Sequence, residues 1–246
     1  MLFIDFSNYR TVGIAWNYFV RLFIHWLKSL IYIHKWVLLY KVQSNFSPAM
    51  HLYQLQRLIP PKGIDTWADP FIVSTSRGTF VLFEEKPAGR GVKGHISCLE
   101  LDQQGEPVVG SKRIVLSECF HLSYPFVFFY REQYWMIPEA AASRGVHLYR
   151  SKQFPDDWIL EKTILEDVQI YDATLIEWKE TWYLFGSQKN SIHTSPHTSL
   201  CIYYTDDPLA GEWKAHPMNP IYQDVRVSRP AGSFFTYNGK LIRPAQ

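Results

Sequence analysis

Three stretches, WADPFIVSTSRGTFVLFEE (Trp67–Glu85), LSYPFVFFYREQYWMIPEA (Leu122–Ala140) and IYDATLIEWKETWYLFGSQ (Ile170–Gln188), align without a gap. In each, a β-branched and aromatic run is followed by a polar turn and a second aromatic run, the pattern of two strands joined by a tight hairpin. Asp69 and Glu84, Tyr124 and Glu139, and Asp172 and Ser187 are each 15 positions apart, so one register serves all three copies. A fourth copy, SRPAGSFFTYNGKLIRPAQ (Ser228–Gln246), follows with its register uncertain by one residue. Its Asn238-Gly239 pair is a strong hairpin signal.

The copies begin at Asp69, Tyr124, Asp172 and Arg229, at intervals of 55, 48 and 57 residues. That is the period of a four-stranded propeller blade, and no helical periodicity accompanies it. Further strands are legible in GHISCLEL (Gly94–Leu101), in VHLYRSK (Val146–Lys152) before WILEKTIL, and in SLCIYYTD (Ser199–Asp206) before WKAHP. Each copy therefore holds about four short strands. The 182 residues from Asp65 onward supply about three and a half blades at that spacing, which does not close a ring. The expectation is a partial or C-terminally truncated ring with an open, aggregation-prone edge and poor stability on its own.

Composition agrees with an all-β body. Of 246 residues, 47% are hydrophobic and 16% aromatic, too apolar for disorder. A formal net charge of +2 supplies no field for a nucleic-acid backbone, so no nucleic-acid partner is expected. Cys98, Cys119 and Cys201 are odd in number and lack a CxxC spacing, which suggests a reducing compartment and no zinc site. With no cleavable signal in MLFIDFSNYR, a cytoplasmic location is expected. Ahead of the repeats, Asn17, Arg21, His25 and Lys28 recur at helical steps among Trp, Phe and Leu. This amphipathic segment, residues 16–31, either packs on a domain or lies along a membrane surface. We place a helical connector at 1–33 and the propeller at 34–246, with HKWVLLYKV (His34–Val42) as a strand-like run that could complete a final blade.

At WADPF, FHLSYPF, MIPE, HLYRS, DATL, GEWKAHPMNP and RPAG…LIRPAQ the chain resembles the N-terminal domains of the glucosamine inositolphosphorylceramide transferase family and its bacterial relatives. The resemblance runs from about Lys35 to Gln246 and keeps the order of many short motifs. Such domains are similar to the five-bladed propellers of family 43 glycoside hydrolases, whose sugar site lies in the central funnel. The Trp16–Leu30 helix resembles the connector that precedes the propeller there. The resemblance implies a saccharide or glycolipid head group as ligand and a fused or neighbouring transferase domain as partner. It carries no transferase activity to this chain, because the catalytic domain of that family is a separate one.

In a propeller the first strand of each blade lines the channel, so Asp69, Tyr124, Asp172 and Arg229 are expected to converge. Glycoside hydrolysis needs two carboxyl groups across the scissile bond. The family 43 pattern implies Asp69 as general base and Asp172 as the carboxylate that tunes the acid. Where that pattern has its acid, this chain reads Ser228-Arg229-Pro230, and a guanidinium cannot donate a proton. Glu84 and Glu139, at the ends of the second strands, are the remaining acids, with Glu139 the third catalytic candidate. Trp67, Glu84, His121, Tyr124, Arg229 and Arg243 are candidate saccharide contacts, the two arginines for an acidic or phosphorylated sugar. Each has a plainer role: Asp before Pro caps turns, Arg pairs structurally with carboxylates, and His121 suits a hydrogen-bonded rim position. Trp135, Trp158, Trp182 and Trp213 recur with the repeat and read as core between blades, whereas Trp67 adjoins Asp69 and reads as a rim aromatic. His193 and His197 are separated by Ser195-Pro196, which forbids one helical face, so no metal is expected. No cofactor is called for. Three functions remain: a carbohydrate-recognising module, a family 43-type glycosidase with an atypical acid, and a protein-binding scaffold, against which the ring of Asp, Glu, Arg and Tyr argues.

Overall fold

A computed structural model describes residues 18–24, 35–42, 54–189, 195 and 197–246. It divides into two units, residues 1–35 and 36–246. In the first unit, residues 18–24 are helical. The remainder of the amphipathic segment lies outside the described residues. No helix among the described residues is long and apolar enough to cross a membrane.

The second unit is built of strands. β1 (Leu38–Tyr40) and β2 (Gln56–Leu58) form a two-stranded antiparallel sheet. β3 (Ile64–Thr75), β4 (Gly78–Pro87), β5 (His95–Leu101) and β6 (Arg113–Leu116) then pair in chain order as sheet A. Sheet B repeats this meander with β7 (Ser123–Tyr130), β8 (Gln133–Glu139), β9 (Gly145–Gln153) and β10 (Asp156–Glu166). Sheet C holds β11 (Ile170–Trp178), β12 (Thr181–Gln188) and β13 (Ser199–Thr205), with β14 (Lys214–Ala215) and β15 (Tyr222–Gln223) both pairing with β13. β16 (Phe235–Tyr237) and β17 (Lys240–Ile242) close the chain as a hairpin.

The turns explain why the copies share a length. Arg131-Glu132, Lys179-Glu180 and Asn238-Gly239 each bridge two strands with two residues at positive φ. This is the type I′ geometry whose twist matches paired strands, although only the last pair carries its usual Asn-Gly signature.

Packing follows from the two-residue alternation of side chains. In β4, Phe80 and Leu82 join a core with Ile96, Leu122, Met136, Tyr149 and Trp158, between sheets A and B. Val81 and Phe83, on the opposite face, pack with Leu38, Trp67 and Leu99 against β1. In β8, Trp135 and Ile137 meet Leu175, Trp182 and Leu184 of sheet C, with Trp213 just before β14. β4 and β8 are therefore buried on both faces, which is why they read as near-continuous apolar runs. Trp67 is corrected here: it lies in the core, 8% exposed, with its indole N–H donated to Glu85 Oε2 at 2.6 Å.

Successive sheets are joined at one recurring place, the start of the preceding third strand. Leu122 N donates to Gly94 O at 3.0 Å, Val168 N to Arg144 O at 3.1 Å, and Ser228 Oγ to Thr198 O at 2.9 Å. These joints fix where each first strand begins, and hence where the next residues point their chemistry.

Candidate functional site

Each first strand carries the same irregularity. Pairing runs Ala68↔Glu84 then Phe71↔Leu82, Ser123↔Glu139 then Phe126↔Ile137, and Tyr171↔Ser187 then Thr174↔Phe185. Two residues thus face one, a β-bulge, and the first of the two is Asp69, Tyr124 or Asp172. All three have left-handed backbone, with φ of 50°, 43° and 56°. Such a conformation costs an L-residue on the order of 1–3 kcal/mol, most plainly for an aromatic, and persists only where surrounding contacts fix it.

Those contacts converge. Asp172 is fully buried, and both of its oxygens accept hydrogen bonds: from Arg229 Nε, from Arg229 Nη2 at 3.3 Å, and from Gln246 Nε2 at 3.2 Å. Arg229 Nη1 lies 3.3 Å from His197 Nδ1. The Tyr124 hydroxyl meets Thr174 Oγ1 at 2.8 Å and accepts Gly232 N–H at 2.7 Å. Asp69 is hydrogen-bonded by the Tyr124 backbone. Asp69, Pro70, Phe71, Tyr124, Ala231, Gly232 and Gln246 line a cavity of about 180 Å³.

The fourth copy departs from the register expected of it. Pro230 bridges Ala245, so by pairing it is Ala231, not Arg229, that corresponds to Asp69. Arg229 reaches the site from two residues earlier. Its place at Asp172 comes from the joint at Ser228, not from repeat equivalence.

The four acids differ in state. Burial raises the Asp69 carboxyl to about 6, with Asp172 adding repulsion and Arg229 opposing it. Burial raises Glu84 further, to about 8, reinforced by Asp69 and Glu139. Glu139 is also raised by burial, but it accepts Ser123 Oγ at 2.8 Å and Ala141 N at 3.0 Å, which occupies both oxygens. Burial pushes Asp172 up, and the bonds from Arg229 and Gln246 pull it back. Asp69 lines the cavity; Glu84, outside its lining, has His121 at one oxygen, and Glu139 and Asp172 have both oxygens engaged by the protein.

Of the other candidates, His121 Nε2 lies 3.5 Å from Glu84 Oε1. Arg243 donates to the backbone carbonyls of Val227 and Pro244, and Arg229 is committed to Asp172. Both guanidiniums thus make bonds within the protein. His197 sits beside Arg229, and His193 lies outside the described residues. Among the described residues no group of three His, Cys, Asp or Glu side chains is arranged to hold a metal ion. Sequence reasoning missed Thr174, Gly232 and Gln246. It also missed Glu85, whose carboxylate accepts from Trp67, from His95 at 3.2 Å and from Lys112 at 2.8 Å.

Residues 62–246 match the family described as glucosamine inositolphosphorylceramide transferase 1, N-terminal. The chain belongs to this family. Its similarity to the rice (Oryza sativa subsp. japonica) glucosamine inositolphosphorylceramide transferase 1 is 35% identity over 183 residues, 73% of this chain and 24% of the rice protein. The Arabidopsis thaliana protein of that name is 34% identical over 183 residues, 73% of this chain and 23% of its own length. The chain spans about a quarter of these relatives. Among solved structures, the exo-β-1,3-galactanase of Phanerochaete chrysosporium with bound β-1,3-galactotriose overlays with a TM-score of 0.56 at 11% identity, covering 77% of this chain and 46% of that one. A Bombyx mori family 32 β-fructofuranosidase gives 0.56 at 13% identity, covering 75% and 43%. These likenesses show that this chain shares its all-β fold with those two enzymes.

Proposed function

We propose that this chain is a carbohydrate-recognising module, part of a five-bladed propeller, that serves a glycan- or glycolipid-modifying enzyme. The observation that carries the reading is the state of Asp172, sealed from solvent with both oxygens taken by Arg229 and Gln246. A site whose walls are closed by their own ion pair is suited to holding a sugar. Asp69 accepts the ligand's hydroxyls at the cavity, where the bulges bring it together with Tyr124. The cavity is below the roughly 300 Å³ at which drug-sized pockets begin, so it takes one end of a saccharide and leaves the rest outside. With both arginines engaged, a neutral sugar suits the site better than an acidic one.

A second reading has one observation in its favour. Asp69 near 6 and Glu84 near 8 leave one carboxyl largely ionised and one protonated at pH 7, the separation that distinguishes base from acid in a hydrolase. Assays of aryl glycosides beside natural oligosaccharides, repeated with Asp69→Asn, separate the two. The module reading expects saccharide affinity lost on Asp69→Asn and no hydrolysis of either class. Hydrolysis of natural substrates, abolished by that substitution, would establish the glycosidase.

The transferase partner, contact of residues 16–31 with a membrane surface, and a cytoplasmic, membrane-peripheral location belong to the same proposal. The first draws on the names of the rice and Arabidopsis relatives.

A further inference from the structure

Glu84 and Glu139 occupy equivalent places at the ends of β4 and β8, yet they are held differently. Opposite Glu139 stands Ser123, whose hydroxyl it accepts; opposite Glu84 stands Ala68, which has none. What faces Glu84 instead is His121.

The imidazole is clamped. Gly94 N–H donates to His121 Nδ1 at 2.8 Å, so the neutral ring carries its proton on Nε2, the atom facing Glu84 Oε1. Gly94 O in turn accepts Leu122 N–H at 3.0 Å, gripping the residue after the ring. No side chain fits at Gly94: a Cβ there would lie 2.7 Å from His121 Cε1 and 2.9 Å from both Nδ1 and the Leu122 carbonyl oxygen.

We propose that Gly94 and His121 are positioning residues for Glu84: the clamped ring holds Nε2 beside Oε1 and leaves the other carboxyl oxygen, Oε2, to a saccharide bound beside Asp69. The inference rests on the saccharide reading of the site. The charged groups facing Glu84 are Asp69 on β3, Glu139 on β8, Asp172 on β11 and Lys86 on its own strand, three acids against one base. Burial and these acids keep Glu84 protonated to about pH 8, while burial and Lys86 hold His121 below its ordinary value. Near pH 7 both partners are therefore neutral, and the 3.5 Å approach is not an ion pair.

Nitrogen NMR of the histidine ring tests the pairing in the free chain. The expected result is an Nε2–H tautomer titrating below 6.5, unmoved by Glu84→Gln and lost as a fixed tautomer in Gly94→Ala. An Nδ1–H tautomer, or a midpoint above 6.5 that falls in Glu84→Gln, would overturn it. Saccharide titration supplies the second readout. Affinity for the tightest ligand of a neutral hexoside and hexosamine panel should fall about fivefold in His121→Ala and be largely restored in His121→Gln, which keeps an N–H donor. The wild-type affinity should decline as pH rises through about 8, and a profile unaltered in His121→Ala contradicts the proposal. If the wild type binds no saccharide, the reading beneath it fails, whereas the ring data judge the pairing independently.

Discussion

Asp172 and Arg229 form the site's most consequential residue pair, because one partner has no access to water. Removing the guanidinium strands a buried carboxylate, and breaking such a pair costs roughly 3–5 kcal/mol. Arg229→Ala should therefore lower unfolding stability by about 3 kcal/mol, read as a lower urea midpoint, while Asp172→Asn with Arg229→Met loses less. Glu84 supplies a pH dependence of opposite origin. Its folded value near 8 lies above the unfolded 4.5, so the folded state binds the extra proton. Stability from this group is full below about 4.5 and declines as pH rises toward 8. Glu84→Gln should be more stable than wild type at pH 8, by on the order of a few kcal/mol, and close to it at pH 4.5. Chemical denaturation at the two pH values checks both size and sign. Asp69 contributes with the same sign over a narrower range, up to about 6.

Bulges and hairpins act at the scale of the element. Since Ser123 holds Glu139 across β7 and β8, Ser123→Ala should cost about 1 kcal/mol, whereas Ala68→Ser should give Glu84 a partner and lower its titration midpoint. Carboxyl NMR on the variant measures the latter. The strands were legible in the sequence because aromatic and β-branched runs flank turns of constant length. The observed β5, β9 and β13 lie within a residue of GHISCLEL, VHLYRSK and SLCIYYTD. Convergence of Asp69, Tyr124 and Asp172 followed from the shared register. Their left-handed backbone did not, since a Tyr before Pro gives no local sign of positive φ. Nor did the slip at Arg229, because the bridge Pro230↔Ala245 is set by a tertiary joint. Trp67 was misplaced for a related reason: adjacency to Asp69 in sequence says nothing about which side of a twisted, doubly buried strand its neighbour takes.

Across residues 36–246, three sheets follow one another between a pair of two-stranded ones, and the core between A and B is separate from its neighbours. Leu82→Ala, a fully buried truncation, should cost about 2–5 kcal/mol and weaken sheets A and B together. Far-ultraviolet circular dichroism should be strand-dominated. The function of the chain turns on whether a saccharide occupies the bulge site. Amide chemical-shift mapping, with the best ligand from a panel of neutral hexosides, hexosamines, hexuronates and β-1,3-galactotriose, addresses this directly. The prediction is a saturable set of shifts at Asp69, Phe71, Tyr124, Gly232 and Gln246, abolished by Asp69→Asn. Absence of binding across the panel, or shifts confined to residues away from that cavity, would contradict it.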